Sequence, residues 1–318
     1  MTPLIIYTKN NDPLGGDVAE WLDDAPPWRK LRPTGDLLKP APRLRSDFRG
    51  KSYVTSSDEE VLRVNMALLL RRPLLITGQP GIGKTTLAYH IASKLDLGEP
   101  LRWNITSQST LKEGLYDYDA VGHLRGGDDL GKHITLGPLG TALLPWHKPR
   151  VLLVDELDKS SFDLPHDLLH VFEEGQFVIP ELRRAGAAKT VQVSTADTDE
   201  SPTVNVVGGL VHARHHPIIV ITSNEEREFP EAFLRRCIQF RVGFDGAQER
   251  RDHIKRVATQ HMGDYSDFDD RISDVLTLLD TPEHGEQATD VFLQIIYLKN
   301  RGQDASKLMS ILSRKRTR

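Results

Sequence analysis

The stretch 78–85 constrains this chain more than any other, reading Gly78-Gln79-Pro80-Gly81-Ile82-Gly83-Lys84-Thr85. It fits the phosphate-loop pattern G-x-x-x-x-G-K-[ST], with the apolar run 73–77 entering and a helix-forming stretch, 86–95, leaving from Thr86. Gly78, Gly81 and Gly83 let the backbone turn tightly and aim its N–H groups inward, where they can surround a polyphosphate at a helix N-terminus. Lys84 adds a mobile positive charge for β- and γ-phosphates, and Thr85 offers a hydroxyl to Mg²⁺.

With 318 residues the chain has room for about two domains, and its 38% hydrophobic content is enough for a buried core. No apolar stretch approaches the about 20 residues of a membrane helix. Residues 1–14 lack the basic start and long apolar middle of a secretion signal. A soluble, cytoplasmic globule is expected. A single cysteine, Cys237, excludes an internal disulfide framework and leaves no cysteine cluster for zinc. The net charge of −4 gives no global attraction for nucleic acid.

Residues 1–50 carry Pro3, Pro13, Pro26, Pro27, Pro33, Pro40 and Pro42, with one short candidate helix at 17–23. Such proline density removes ladder donors and blocks helices, so an extended arm on the surface of the main domain is expected. Ser56 and Glu59 have the spacing of a capping box before a helix carrying Val61, Leu62, Val64, Ala67, Leu68 and Leu69. Pro73 then opens the first strand. After the phosphate-loop helix, strands are expected at 101–105, 151–154, 217–221 and 238–242. The polar, turn-rich stretch 106–133 is expected to be functional or mobile. Phe177, Val178 and Ile179 begin a hairpin whose far arm is 209–213, with an unanchored acidic tip at 194–202. His212, His215 and His216 lack a fourth ligand of matching spacing and read as surface histidines. From Gly246 the strands stop, and 247–261, 272–279, 289–298 and 305–312 read as amphipathic helices before the basic run 313–318. The chain therefore divides into an arm (1–50), a nucleotide-binding α/β domain (51–245) and a helical domain with a basic tail (246–318).

Candidate site residues cluster at strand ends. Val151-Leu152-Leu153-Val154 suits a strand buried on both faces, and Asp155 and Glu156 follow at its C-terminal end, where open α/β sheets bind ligands. Asp155 is positioned to hold the Mg²⁺ shell and Glu156 to orient the attacking water. Asn224 ends the strand 217–221 and can reach the γ-phosphate or that water. Arg235 and Arg236 sit on a short proline-initiated helix, and their planar, permanently charged groups suit phosphate. That helix belongs at the domain edge, so its arginines would serve a neighbouring copy.

The order of these parts resembles an AAA+ ATPase, and within that superfamily the MoxR-like group. Residues 78–85 resemble its Walker A loop, 151–156 its Walker B strand, Asn224 its sensor 1, and Arg236 rather than Arg235 its arginine finger. The resemblance implies a phosphate-loop module with a five-stranded parallel sheet flanked by helices, followed by a small α-helical lid. It also implies two inserts, at about 106–133 and about 177–216. It implies ATP with Mg²⁺, a six-membered ring of identical chains, and chaperone-like remodelling of a protein partner, often one with a von Willebrand factor A domain. The stretch Gln287-Ala288-Thr289-Asp290 departs from the superfamily by lacking the sensor-2 arginine. Two other expectations stand beside remodelling: an assembly switch set by ATP binding, and a nucleic-acid motor. The motor is the weaker, since only the terminal basic run and scattered arginines favour it.

Overall fold

The computed structural model describes residues 6–9, 18–31, 38, 50–51, 53–126, 129–197, 203–244, 246–262, 275, 289–299 and 301. In chain order the strands are β1 (Leu74–Thr77), β2 (Leu101–Asn104), β3 (Tyr116–Tyr118), β4 (Ile134–Leu136), β5 (Val151–Asp155) and β6 (Gln176–Val178). They continue as β7 (Thr190–Ser194), β8 (Thr203–Val207), β9 (Leu210–His212), β10 (Ile218–Ser223) and β11 (Ile238–Arg241).

Five of them form a parallel sheet in the order β11-β1-β10-β5-β2. Every residue of β5 is buried, as a strand covered on both faces requires. Alternate side chains serve two cores. Leu75, Leu152, Val154, Ile219 and Ile221 face one, while Leu74, Ile76, Val151, Leu153 and Val220 face the other. The helices Asp58–Leu70 and Lys84–Lys94 cover the second face with Val64, Leu68, Leu87 and Ile91. Each such fully buried aliphatic side chain contributes about 1.5–3 kcal/mol. The register then sets Asn104 beside Asp155 and Thr77 beside Ser223 at one end of the sheet.

The other face carries a second sheet, in the order β3-β4-β7-β8-β9-β6. The expected pairing of 177–179 with 209–213 is present, with Phe177 opposite Val211. Between its arms lies a further hairpin, β7 with β8, in which Val191, Val193, Val204 and Val206 alternate inward. The two inserts are brought together: β4, which directly follows the first, pairs with β7 of the second through Thr135 and Ser194.

Four expectations need correction. The arm is not simply extended on the surface: Ile6, Tyr7 and Trp21 are buried within the core. Asn65 Oδ1 accepts from the backbone N–H of Ile6 (2.8 Å) and Tyr7 (2.9 Å), so one side-chain amide supplies the arm's missing ladder partner. Trp21 Nε1 donates to Leu68 O at 3.1 Å. The helix cap lies one residue later than its spacing suggested. Ser57 caps Glu60 N, and the fully buried Glu60 carboxylate reaches past the cap to Ser56. Asp197 is anchored, its buried carboxylate pairing with the fully buried Arg150 at 2.7 Å. His216 is buried, and burial together with nearby Arg29 and Arg71 pushes its pKa down to about 4. Among the described residues no group of three or more His, Cys, Asp or Glu could hold a metal ion.

The helix expected at 247–261 is found as Ala247–Met262, and that at 289–298 as Thr289–Lys299. The hairpin tip at 198–202, most of 272–279, the helix expected at 305–312 and the basic run 313–318 lie outside the described residues. Among the described residues, no helix is long and apolar enough to cross a membrane.

Candidate functional site

The loop between β1 and the helix Lys84–Lys94 is shaped by glycines. Gly78 has φ +143°, and a Cβ there would meet Val242 O at 2.4 Å, so neither the backbone nor the space admits another residue. Gly83 caps the helix at φ +98°. Lys84 lies beneath the loop, 7% exposed, and its Nζ donates to Gly78 O (2.6 Å), Gln79 O (2.9 Å) and Asn224 Oδ1 (2.8 Å). Burial lowers its pKa, opposed by the carboxylates of Asp158, Glu156, Asp155 and Glu225.

Asp155 ends β5 with its carboxylate engaged at both oxygens. Oδ1 accepts from Thr222 Oγ1 (2.7 Å) and Thr85 Oγ1 (3.1 Å), and Oδ2 accepts from Arg102 Nε (3.2 Å) and Nη2 (2.6 Å). Thr85 and Asp155 are hard oxygen donors meeting at the start of a helix, and they are the groups that could hold a small divalent cation. Glu156 adopts φ +62°, left-handed for a non-glycine residue, a conformation that costs on the order of 1–3 kcal/mol and persists only when held. Its holders are Thr222 Oγ1 on its N–H (2.9 Å), Asn224 Nδ2 on Oε1 (3.1 Å) and Lys159 Nζ on Oε2 (2.6 Å). The carboxylate is thus turned away from the strand axis and aimed.

Asn224 bridges Lys84 and Glu156, accepting from one and donating to the other. Asp158 fixes it from behind by accepting from the N–H groups of Asn224 (2.9 Å) and Glu226 (3.1 Å). These side chains line a cleft of about 1080 Å³, with Pro80, Gly81, Gly83, Lys84, Thr85 and Thr86 on one wall and Arg102, Asn104, Asp155, Glu156 and Asn224 on the other. Gly78, Gln79 and Ile82 do not line it; Ile82 packs against the core instead. Tyr53 also lies outside the cleft lining, its hydroxyl bound to Glu60 at 2.8 Å.

Arg235 and Arg236 do not line the cleft either. Arg235 pairs with Glu231 at 2.8 Å and is 75% exposed. Arg236 is 44% exposed, with Nε on Glu173 Oε1 (2.5 Å) and Nη1 on Ala232 O (3.1 Å). The expected helix is shorter than its arginines required: it spans Glu231–Leu234, Arg235 is its C-cap and Arg236 follows it, and Arg72 holds this turn by donating to the carbonyls of Arg235, Arg236 and Cys237. Thr289 and Asp290 open the helix Thr289–Lys299, while Gln287 and Ala288 lie outside the described residues.

Reading the sequence missed Arg102, Lys159, Asp158 and Thr222. Arg102 carried a usable signal, since alternation along β2 puts it two residues before the edge and on the face of Asn104. Lys159 stands three residues after Glu156, within reach across one helical turn.

A family model described as an AAA domain, dynein-related subfamily, matches residues 73–237. No curated protein matches the chain significantly. Among solved structures, the Thermotoga maritima RuvB Holliday junction branch migration motor is 16% identical, covering 81% of this chain and 72% of that one at a TM-score of 0.42. NtrX from Brucella abortus, in complex with ADP, is 14% identical over 82% and 55% of the two chains at a TM-score of 0.42. C. elegans PCH-2 is 13% identical over 84% and 71%, at a TM-score of 0.41.

Proposed function

Because the chain belongs to the AAA domain family, in its dynein-related subfamily, we propose that it is a Mg²⁺-dependent ATPase whose pocket is completed by a second copy of itself. One observation carries the reading: Lys84, Thr85, Asp155, Glu156 and Asn224 are wired together in one cleft, whereas Arg235 and Arg236 lie outside it and exposed.

Each residue has a role its contacts suit. The loop N–H groups and Lys84 bind the phosphates, and the contacts of Lys84 to Gly78 O and Gln79 O keep its ammonium at the loop. Thr85 and Asp155 hold Mg²⁺, which when bound neutralises charge on the β- and γ-phosphates. Glu156 accepts a proton from, or orients, the attacking water, and Lys159 holds its carboxylate in place by a charge-assisted bond. Asn224 touches both Lys84 and Glu156, so a change at the phosphates reaches the residue that aims the water. Arg236 from the next copy stabilises the charge that develops at transfer, with Arg235 as the alternative donor.

The order of parts supports the finer assignment to the MoxR-like group, with a hexameric ring that remodels a protein partner of the class carrying a von Willebrand factor A domain. Val178, Val207 and Leu210, adjacent on β6, β8 and β9 and 41%, 52% and 36% exposed, give the second sheet an apolar contact surface for such a partner. The test is Glu156→Gln, read by nucleotide titration and by phosphate release. Binding within about threefold of wild type and turnover reduced by about 10²–10⁴ are expected. Wild-type turnover in that variant would overturn the reading.

A further inference from the structure

Arg102 is a permanent positive charge inside the cleft for which the hydrolytic scheme has no use. It projects from β2, on the strand next to Asp155, and lines the cleft beside Thr85 and Glu156. Its Nε and Nη2 both point at Asp155 Oδ2, at 3.2 and 2.6 Å, while the other oxygen, Oδ1, faces the hydroxyls of Thr85 and Thr222. The Asp155 side chain is 8% exposed, so its negative charge has little water, and the Arg102 guanidinium is the cation in direct contact with it. Arg102 itself is 42% exposed and already lines the cleft.

We propose that Arg102 competes with the divalent cation for Asp155, standing as its counter-ion until Mg²⁺ takes its place, and so sets the cation concentration at which nucleotide is held tightly. The inference rests on the reading of the cleft as an ATP–Mg²⁺ site. Its physical basis is that Asp155 carries one negative charge. A guanidinium on Oδ2 and a divalent ion held through Asp155 and Thr85 would be like charges drawn to one carboxylate and would repel each other across it. Binding of the ion therefore loosens the hold of Asp155 on the guanidinium. The loosened side chain stays in the cleft, where phosphate oxygens are the groups that match its planar donors. Arg102 consequently opposes the cation while favouring the anion.

The experiment titrates Mg²⁺ against the full-length chain holding a fluorescent ATP analogue, and repeats the nucleotide titration in EDTA. Mn²⁺ binding followed by electron paramagnetic resonance gives a second readout that does not depend on turnover. For Arg102→Met, the Mg²⁺ midpoint should fall at least threefold and metal-free nucleotide affinity should weaken at least threefold. Arg102→Lys, which keeps the charge but offers a single-point donor, should fall between the variant and wild type. It carries the test if Arg102→Met does not fold. A folded variant whose midpoint is unchanged or raised would overturn the proposal while leaving the site reading intact. A wild-type chain that binds no ATP with or without Mg²⁺ would overturn both.

Discussion

The cleft at the end of the parallel sheet and the arginine-bearing edge beyond β10 are built on opposite principles. In the cleft, charges are closed on one another: Lys84 on two loop carbonyls and Asn224, Asp155 on two hydroxyls and Arg102, Glu156 on Lys159 and Asn224. At the edge, cations outnumber their partners. Arg29, Arg72 and Arg236 share the neighbourhood of Glu173, and Arg235 extends to solvent on Glu231. On the proposed reading, a cleft that joins a phosphate loop to Asp155 and Glu156 while Arg235 and Arg236 stay outside it leaves those two arginines for a second copy.

Breaking the edge alone should therefore have the largest kinetic effect with the smallest effect on binding. Arg236→Ala is expected to lower turnover by about 10³–10⁵ while nucleotide affinity stays within about threefold, measured by phosphate release and by titration. Breaking the cleft should instead cost folding as well as binding. Gly78→Ala places a Cβ against Val242 O at φ +143° and is expected to lose about 2–4 kcal/mol by urea denaturation.

Acid should loosen the arginine-bearing edge. His216 is buried, with Arg29 and Arg71 nearby, and its pKa of about 4 stands well below the ordinary value of about 6.5. The unfolded chain thus binds more protons between those values, so stability is complete above pH about 6.5 and falls as pH drops toward 4. His216 accounts for up to about 3 kcal/mol of that loss. His253, also displaced to about 4 by burial, adds a loss of the same sign. His216→Gln should flatten the urea midpoint's dependence on pH across this window without abolishing it. The smallest effect is expected at the latch on the arginine itself. Glu173→Gln breaks a half-exposed pair, so stability should move by less than about 1 kcal/mol.

The same contrast explains what could be read from the sequence. The sheet was legible because β1, β5 and β10 are short, largely apolar runs and β2 and β11 alternate apolar with polar residues, and the loop because its pattern sits between a strand and a helix. Asp155, Glu156 and Asn224 were legible as polar residues at the ends of such runs. What escaped depends on contacts between distant segments. The pairing of β4 with the second insert rests on a single parallel register, Thr135 with Ser194, which no local periodicity encodes. The burial of Ile6, Tyr7 and Trp21 rests on Asn65 and Leu68, about fifty residues or more away in sequence. Lys159 and Arg102 are ordinary surface residue types, and only the positions of Glu156 and Asp155 give them meaning.

Mixing two inactive variants tests most directly whether the pocket is shared between copies. Glu156→Gln supplies an intact Arg236, and Arg236→Ala supplies an intact Glu156. Equal amounts of the two, allowed to exchange subunits, should recover up to about a quarter of wild-type turnover by transition-state complementation in trans. Mixtures that assemble and bind ATP, yet release phosphate no faster than either variant alone, would contradict the account.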